Sequence, residues 1–315
     1  MENELNSVVS APGRFFLFGE HALDYGQPAI ALAVDYRVKC KAQLSTRFMV
    51  NNEPLELGKH PHARAAVIQG WTDMDKPISL SIESAIPQGL GLGVNSATTV
   101  ACLGAISMLH DHLIFEQVAV SSFDAINEVG NGCSPIDTSI STHGGAIMLE
   151  SKRSEKTLWT IKKEGKALYL NDVDIPEMNF VLGYSGVPSP EAEMIAKVRR
   201  FHERNSFARD IIKDIGKIAT EGCAALENNN LASVGELMNR NHRLLVNLGI
   251  GNPALEKLIQ AASRHSYGAK ITGMGGGGCI VALARDPEKT VSAIEGAGGK
   301  PYLLPLSKEG VRPDD

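Results

Sequence analysis

Four short segments of this chain carry residue types that could act together chemically. Residues 10–26, SAPGRFFLFGEHALDYG, place one cation, Arg14, ahead of Glu20, His21, Asp24 and Tyr25. The plain alternative for this segment is an exposed loop with a surface arginine. Residues 89–93, GLGLG, run directly into VNSATTVACLGAISMLH, whose apolar residues recur at helical spacing. Glycines let backbone N–H groups approach an anion, and a helix N-terminus adds partial positive charge. The pairing predicts a phosphate cradle; a tight turn before a helix is the simpler reading. No Lys-Ser/Thr pair follows the last glycine, so this is no Walker loop, and the alternating glycines do not fit a dinucleotide fingerprint.

Residues 131–145, NGCSPIDTSISTHGG, contain a lone carboxylate, Asp137, just after a Ser-Pro turn. A buried aspartate beside a cation keeps its charge and can take a proton from a substrate hydroxyl. The same residue could simply cap a helix or turn. Residues 270–279, KITGMGGGGC, hold four consecutive glycines between strand-like runs. Ordering such a run forfeits conformational entropy, so another backbone or a ligand must come very close to it.

The elements that position these segments are legible in outline. Residues 8–11, 15–18, 29–34 and 38–44 read as short strands, and ISLSI at 78–82 alternates as a half-buried strand should. A helix follows the glycine loop and another spans about 116–129. The charged, irregular stretch 151–177 carries a weak hairpin pattern, and its interleaved lysines and glutamates read as solvated surface. We place a domain boundary there, giving 1–172 and 173–315. Beyond it come a strand at NFVLGYSG, helices near 191–203, 208–226 and 231–248, a further helix before Arg264, and strands at KITG and CIVALA. Helices and strands mixed without regular βαβ repetition favour an α+β class.

Composition excludes several function classes. The net charge is −5 with acids and bases interspersed, which gives no basic footprint for nucleic acid. The acidic, polar start has no basic n-region of a secretory signal, and no apolar run is long enough to span a bilayer, so a cytoplasmic location away from membranes is expected. Five scattered cysteines form no CxxC pair and are expected to be reduced and mostly buried. The pairs His60/His62 and His110/His112 lack the i, i+4 spacing and the third ligand of a metal site.

Taken in order, the four segments resemble the signature motifs of the GHMP kinases, and within them the mevalonate kinases of the archaeal type. The resemblance also takes in GKHPHARAAVI, YSGVPSPEAEMIAKVRR and GAGGK, and so covers about residues 8–305. It implies an N-terminal domain like domain 2 of ribosomal protein S5 and a ferredoxin-like C-terminal domain, with the active site between them. It also implies transfer of the γ-phosphoryl group of ATP, with Mg²⁺, to a small alcohol. Mevalonate is the first acceptor implied; a phosphorylated mevalonate, a sugar, or a catalytically impaired binding role are the alternatives.

By the same resemblance Asp137 is the catalytic aspartate, and Arg14 stands where the family has lysine. Pro87, Gly89, Gly91, Leu92, Gly93, Asn95 and Ser96, with Gly275, Gly276 and Gly277, fall on the nucleotide side. Glu20, His21, Tyr25, Thr142 and Gly273 fall on the acceptor side. Asn95, or Ser96, stands at a Mg²⁺-ligand position, and a homodimer is one expected state. The chain departs from the family pattern in four places. Val94-Asn95 replaces a serine pair. Ile126, eleven residues before Asp137, replaces a Mg²⁺-binding glutamate. Pro190-Glu191-Ala192 replaces Ser-Thr-Lys, and Met274 replaces alanine. Asp124 and Glu128 lie about 200° around a helix from Ile126 and are no direct substitutes.

Overall fold

The structure is a computed structural model that describes residues 6–314 apart from 57 and 131; the acidic start of the chain, residues 1–5, lies outside the described residues. Its first element is a long strand, β1 (Asn6–Phe18), antiparallel to β2 (Ala29–Leu44). The short runs expected at 8–11 and 15–18 are thus one strand, as are those at 29–34 and 38–44. Pro12 and Gly13 mark a shift in the β1–β2 register, not a chain break. A bulge of this kind bends a strand and re-aims its side chains without ending the pairing.

Around this pair lie the hairpin β3 (Met49–Val50) and β4 (Glu53–Pro54), helix α1 (Pro61–Gly70), strand β5 (Ile78–Ser84), helices α2 (Val94–Met108), α3 (Phe115–Glu128) and α4 (Pro135–His143), and strands β6 (Ala146–Glu150), β7 (Thr157–Lys163) and β8 (Lys166–Asp172). The strands order β4-β3-β5-β2-β6-β8-β7, with β1 on the other edge of β2. The faces of β1 separate into different cores. Phe15 and Leu17 join the large core that includes α2, and Phe16 joins Phe123, Ile126, Ile136 and Ile140 from α3 and α4.

The second half begins with β9 (Phe180–Tyr184), followed by α5 (Glu191–Arg204), α6 (Ser206–Glu227), α7 (Leu231–Asn247), α8 (Pro253–Ser263), β10 (Ser266–Thr272), β11 (Cys279–Ala284), α9 (Pro287–Gly296) and β12 (Lys300–Leu304). Its sheet is antiparallel throughout, in the order β10-β11-β9-β12. Side-chain caps fix several helix starts: Asn205, Asn230, Asn252 and Asp286 each accept from a backbone N–H of the following turn. Pro253 and Pro287 add the preset φ that favours a first helical position.

The two halves are in direct contact. The rings of Phe15 and Phe180 meet edge to face with centroids 5.0 Å apart. The last residues then return to the first sheet, where β13 (Arg312–Pro313) pairs with β1 and Val311 N–H donates to the Thr142 carbonyl at 3.0 Å. The expected division at 172/173 therefore separates the two sheets except for this terminal strand. No helix among the described residues is long and apolar enough to cross a membrane.

Candidate active site

Strand β1 carries both halves of the site. Arg14 lies two residues from Phe16, and its guanidinium stands 4.9 Å from the centre of that ring. Arg14 Nε donates to Asp137 Oδ1 at 2.7 Å and Nη1 donates to the Gly91 carbonyl at 2.8 Å. The Arg14 backbone N–H donates to the Leu92 carbonyl at 2.9 Å. One residue thus ties the glycine loop to the carboxylate. Arginine stays charged at any working pH and presents several donors in a fixed fork, which suits this double role.

The loop itself meets the requirements of a phosphate cradle. Gly89, Gly91 and Gly93 all have φ between 71° and 75°, a region that strains side-chain-bearing residues. A Cβ on Gly89 or Gly91 would meet nothing within 4 Å, so the space beside them is open. A Cβ on Gly93 would stand 3.0 Å from Arg14 Cγ. Leu90 and Leu92 anchor the loop in the core. Gly93 leads into α2, whose first N–H groups lack intrahelical acceptors. Asn95 is exposed on that first turn, while Ser96 is buried and its hydroxyl has no hydrogen-bond partner among the described residues.

Asp137 sits at the third position of α4, with Pro135 opening the helix. Both readings of this residue hold at once: Oδ2 accepts the Ser134 N–H at 3.0 Å, a cap, and Oδ1 faces Arg14. It is largely buried, at 8% exposure. The neighbouring Cys133 thiol lies 3.8 Å from Oδ2, and burial, reinforced by that carboxylate, pushes its pKa well up.

A second cluster closes the far end of β1. Glu20 is fully buried in an ion pair with Lys270 of β10, and Asn241 Nδ2 of α7 donates to its other oxygen at 3.2 Å. His21 adopts φ 62° and its Nε2 lies 3.1 Å from the Met274 carbonyl. Because a carbonyl only accepts, Nε2 carries the proton. Burial lowers the His21 pKa. Tyr25 stacks on His202 of α5 at a centroid distance of 4.0 Å.

Several of the expected positions are enclosed by the protein itself. Glu20 has no exposed surface. Thr142 is fully buried, its hydroxyl donating to the Thr138 carbonyl at 2.8 Å. Its backbone is covered by the returning C-terminal segment. In the glycine run, the N–H groups of Gly276 and Gly278 donate to the carbonyls of Ile250 and Val187 at 2.8 and 2.7 Å. A Cβ on Gly275 would stand 2.6 Å from the Ile250 oxygen, and one on Gly277 2.5 Å from the Pro188 oxygen. The close approach is by protein backbone at Gly275 and Gly277 and by the Met194 and Pro190 side chains at Gly276. Gly273, with φ 76° and open space beside it, remains available to a ligand.

Ile126 is buried among Phe16, Phe123, Ile136 and Ile140, so no carboxylate occupies that position. Glu128 instead accepts from Gln69 Nε2 at 2.8 Å. Among the described residues no three His, Cys, Asp or Glu gather into a metal site. Lys270, Asn241 and Lys163 were not assigned roles from sequence. Lys270 opens the glycine motif and was visible there; Asn241 lies mid-helix with no local signal.

The chain matches the model of the GHMP kinases N terminal domain over residues 62–145 and that of the GHMP kinases C terminal over residues 224–300. It is 33% identical to a mevalonate kinase of Pyrococcus abyssi over 97% of each chain. It is 31% identical to one of Archaeoglobus fulgidus over 97% of this chain and 99% of that one. Among solved structures, its fold matches the Methanococcus jannaschii mevalonate kinase with a TM-score of 0.77, at 23% identity over 95% and 98% of the two chains. The chain belongs to the GHMP kinase family, as do the mevalonate kinases it matches over nearly its whole length.

Proposed function

We propose that this chain transfers the γ-phosphoryl group of ATP to the primary hydroxyl of mevalonate, giving 5-phosphomevalonate and ADP, with Mg²⁺. The carrying observation is the three-part contact in which Arg14 holds the Asp137 carboxylate at 2.7 Å and the phosphate-cradle carbonyl of Gly91 at 2.8 Å. The full-length likeness to mevalonate kinases supplies the acceptor.

In this reading the attacking hydroxyl gives its proton to Asp137 as its oxygen bonds to the γ-phosphorus and the bond to the β-phosphate oxygen breaks. Arg14 pairs with Asp137 and faces the charge that develops on the transferred group. Phosphoryl transfer needs mainly positioning and charge neutralisation, which these residues can provide. Asn95, with its amide oxygen, and Ser96, with its free hydroxyl, are the hard oxygen donors that would hold Mg²⁺. Kinase sites complete such a shell with substrate phosphates and water. The ion would neutralise the phosphate charge.

The test is an ADP-release assay with mevalonate, phosphomevalonate and galactose as acceptors, with the product identified by ³¹P NMR. Mevalonate-dependent ADP formation that requires Mg²⁺ is expected. Turnover confined to another acceptor would overturn the assignment. Ile126 favours one second reading, nucleotide binding without turnover. It predicts an ATP titration signal with no ADP from any acceptor.

A further inference from the structure

The β7–β8 hairpin, read from sequence as solvated surface, delivers a cation to the site. Along β7, Trp159 and Ile161 are buried and Lys162 is exposed. Strand alternation puts Lys163 on the buried face with them. Its ammonium lies 3.3 Å from the carbonyl oxygen of Cys133, in the turn that opens α4. The thiol of that same residue is 3.8 Å from Asp137 Oδ2.

One neutral carbonyl satisfies only one of three ammonium donors. Among the described residues, no carboxylate lies within ion-pair distance of Lys163. Arg14 is paired with Asp137 and Lys270 with Glu20, while Arg199 of α5 faces Asp24 and Tyr25 at the other end of the site. The charge of Lys163 nevertheless acts on the site: it offsets the upward pull of burial and of Asp137 on Asp24, and it offsets the same upward pull on the Cys133 thiol. Asp24 occupies the turn between β1 and β2, beside His21. Lys163 is therefore a partly desolvated cation, without an ion pair among the described residues, set against the turn that leads into the helix of Asp137. An anionic substrate group is its natural complement. Pro190-Glu191-Ala192, where the motif comparison expected a lysine, supplies no cation at that position.

We propose that Lys163 receives the carboxylate of the acceptor and so sets the preference for an acidic over a neutral alcohol. This rests on the mevalonate reading above. The test uses the full chain and two acceptors, mevalonate and the neutral triol in which its carboxylate is reduced to hydroxymethyl. Lys163→Met is expected to raise KM for mevalonate about 30-fold, as loss of one charge-assisted contact does, with kcat and the KM for ATP unchanged. The same variant should lose the wild-type preference for mevalonate over the triol. Lys163→Arg should restore most of the affinity, and Lys162→Met on the outer face should change nothing. A merely structural lysine would not alter the choice between acceptors.

Wild-type protein that ignores mevalonate would overturn the acceptor assignment and this inference together. Wild type that uses mevalonate, with Lys163→Met retaining both KM and preference, overturns this inference alone. A rise confined to the KM for ATP would place Lys163 on the nucleotide and overturn it equally.

Discussion

In the proposed reaction, a single carboxylate held between an arginine and a backbone N–H takes the substrate proton. Replacing Asp137 by asparagine keeps an acceptor for the Ser134 N–H but removes the base. We expect kcat to fall by about 10²–10⁴ with the fold retained, the range that a positioned general base contributes. Steady-state ADP release together with a circular-dichroism melt checks both halves of that statement, and unchanged turnover would remove Asp137 from the mechanism. A second residue-scale expectation concerns the thiols. Cys133 is pushed up by burial and its neighbouring carboxylate, Cys223 to about 11 and Cys279 to about 12 by burial. Thiolate is the reactive form, so iodoacetamide at pH 7.5 should not inactivate the protein even though Cys133 adjoins Asp137. Rapid inactivation, with mass spectrometry locating the label on Cys133, would contradict this placement. The residues that mattered here were unevenly legible. Asp137 and Arg14 stood out because each is the lone charge of its sign in a turn-rich motif. Glu20 looked equally functional, yet its partner Lys270 lies 250 positions away, and no local pattern reveals that the pair is internal.

At the scale of elements, the two glycine runs do different work despite similar composition. In the loop before α2, glycine is required by backbone conformation and, at position 93, by Arg14. Gly91→Ala has open space and should cost only the strain of its positive φ, about 1–2 kcal/mol. Gly93→Ala has the same strain and also presses on the side chain that holds Asp137, so it should lower kcat as well as raise the KM for ATP. Equal kinetic effects from the two variants would deny that Arg14 links loop and base. In the run before β11, glycine is required by neighbouring backbone. Gly277→Ala meets the Pro188 and Val187 carbonyls and should lower the melting temperature. The sequence could foresee that something must approach this run, but not whether backbone or ligand does so, because the approaching strand connection, residues 187–190, is remote in the chain. Strand boundaries were missed for a related reason. Pro12 and Gly13 read locally as breakers, whereas the long pairing with β2 absorbs them as a bulge. Helix α1 was overlooked because its pattern, PHARAAVIQG, is short and weakly amphipathic, and its burial comes from packing on α2.

Across the whole molecule, the end of β1 is where the two halves are fastened. Removing Lys270 leaves Glu20 without its ion-pair partner in a fully buried position, and breaking such a pair typically costs about 3–5 kcal/mol. Lys270→Met should therefore destabilise strongly in urea, and adding Glu20→Gln should recover a large part of the loss. Recovery is the decisive outcome, since simple loss of packing by Lys270→Met would not be repaired at position 20. Beside this pair, His21 is held neutral with its proton on Nε2, and burial lowers its pKa below the ordinary 6.5. Burial does the same to His62 and His242. In each case the unfolded chain binds a proton at a pH where the folded chain does not. Folding stability is then fully present above pH 6.5 and is lost as pH falls through the window below it. Asp24, raised by burial, acts in the opposite direction at lower pH. Urea unfolding at pH 7.5, 6.5 and 5.5 should show stability decreasing on acidification, and His21→Gln should flatten part of that slope. A protein that grows more stable between pH 6.5 and 5.5 would show that these histidines gain their protons in the folded state.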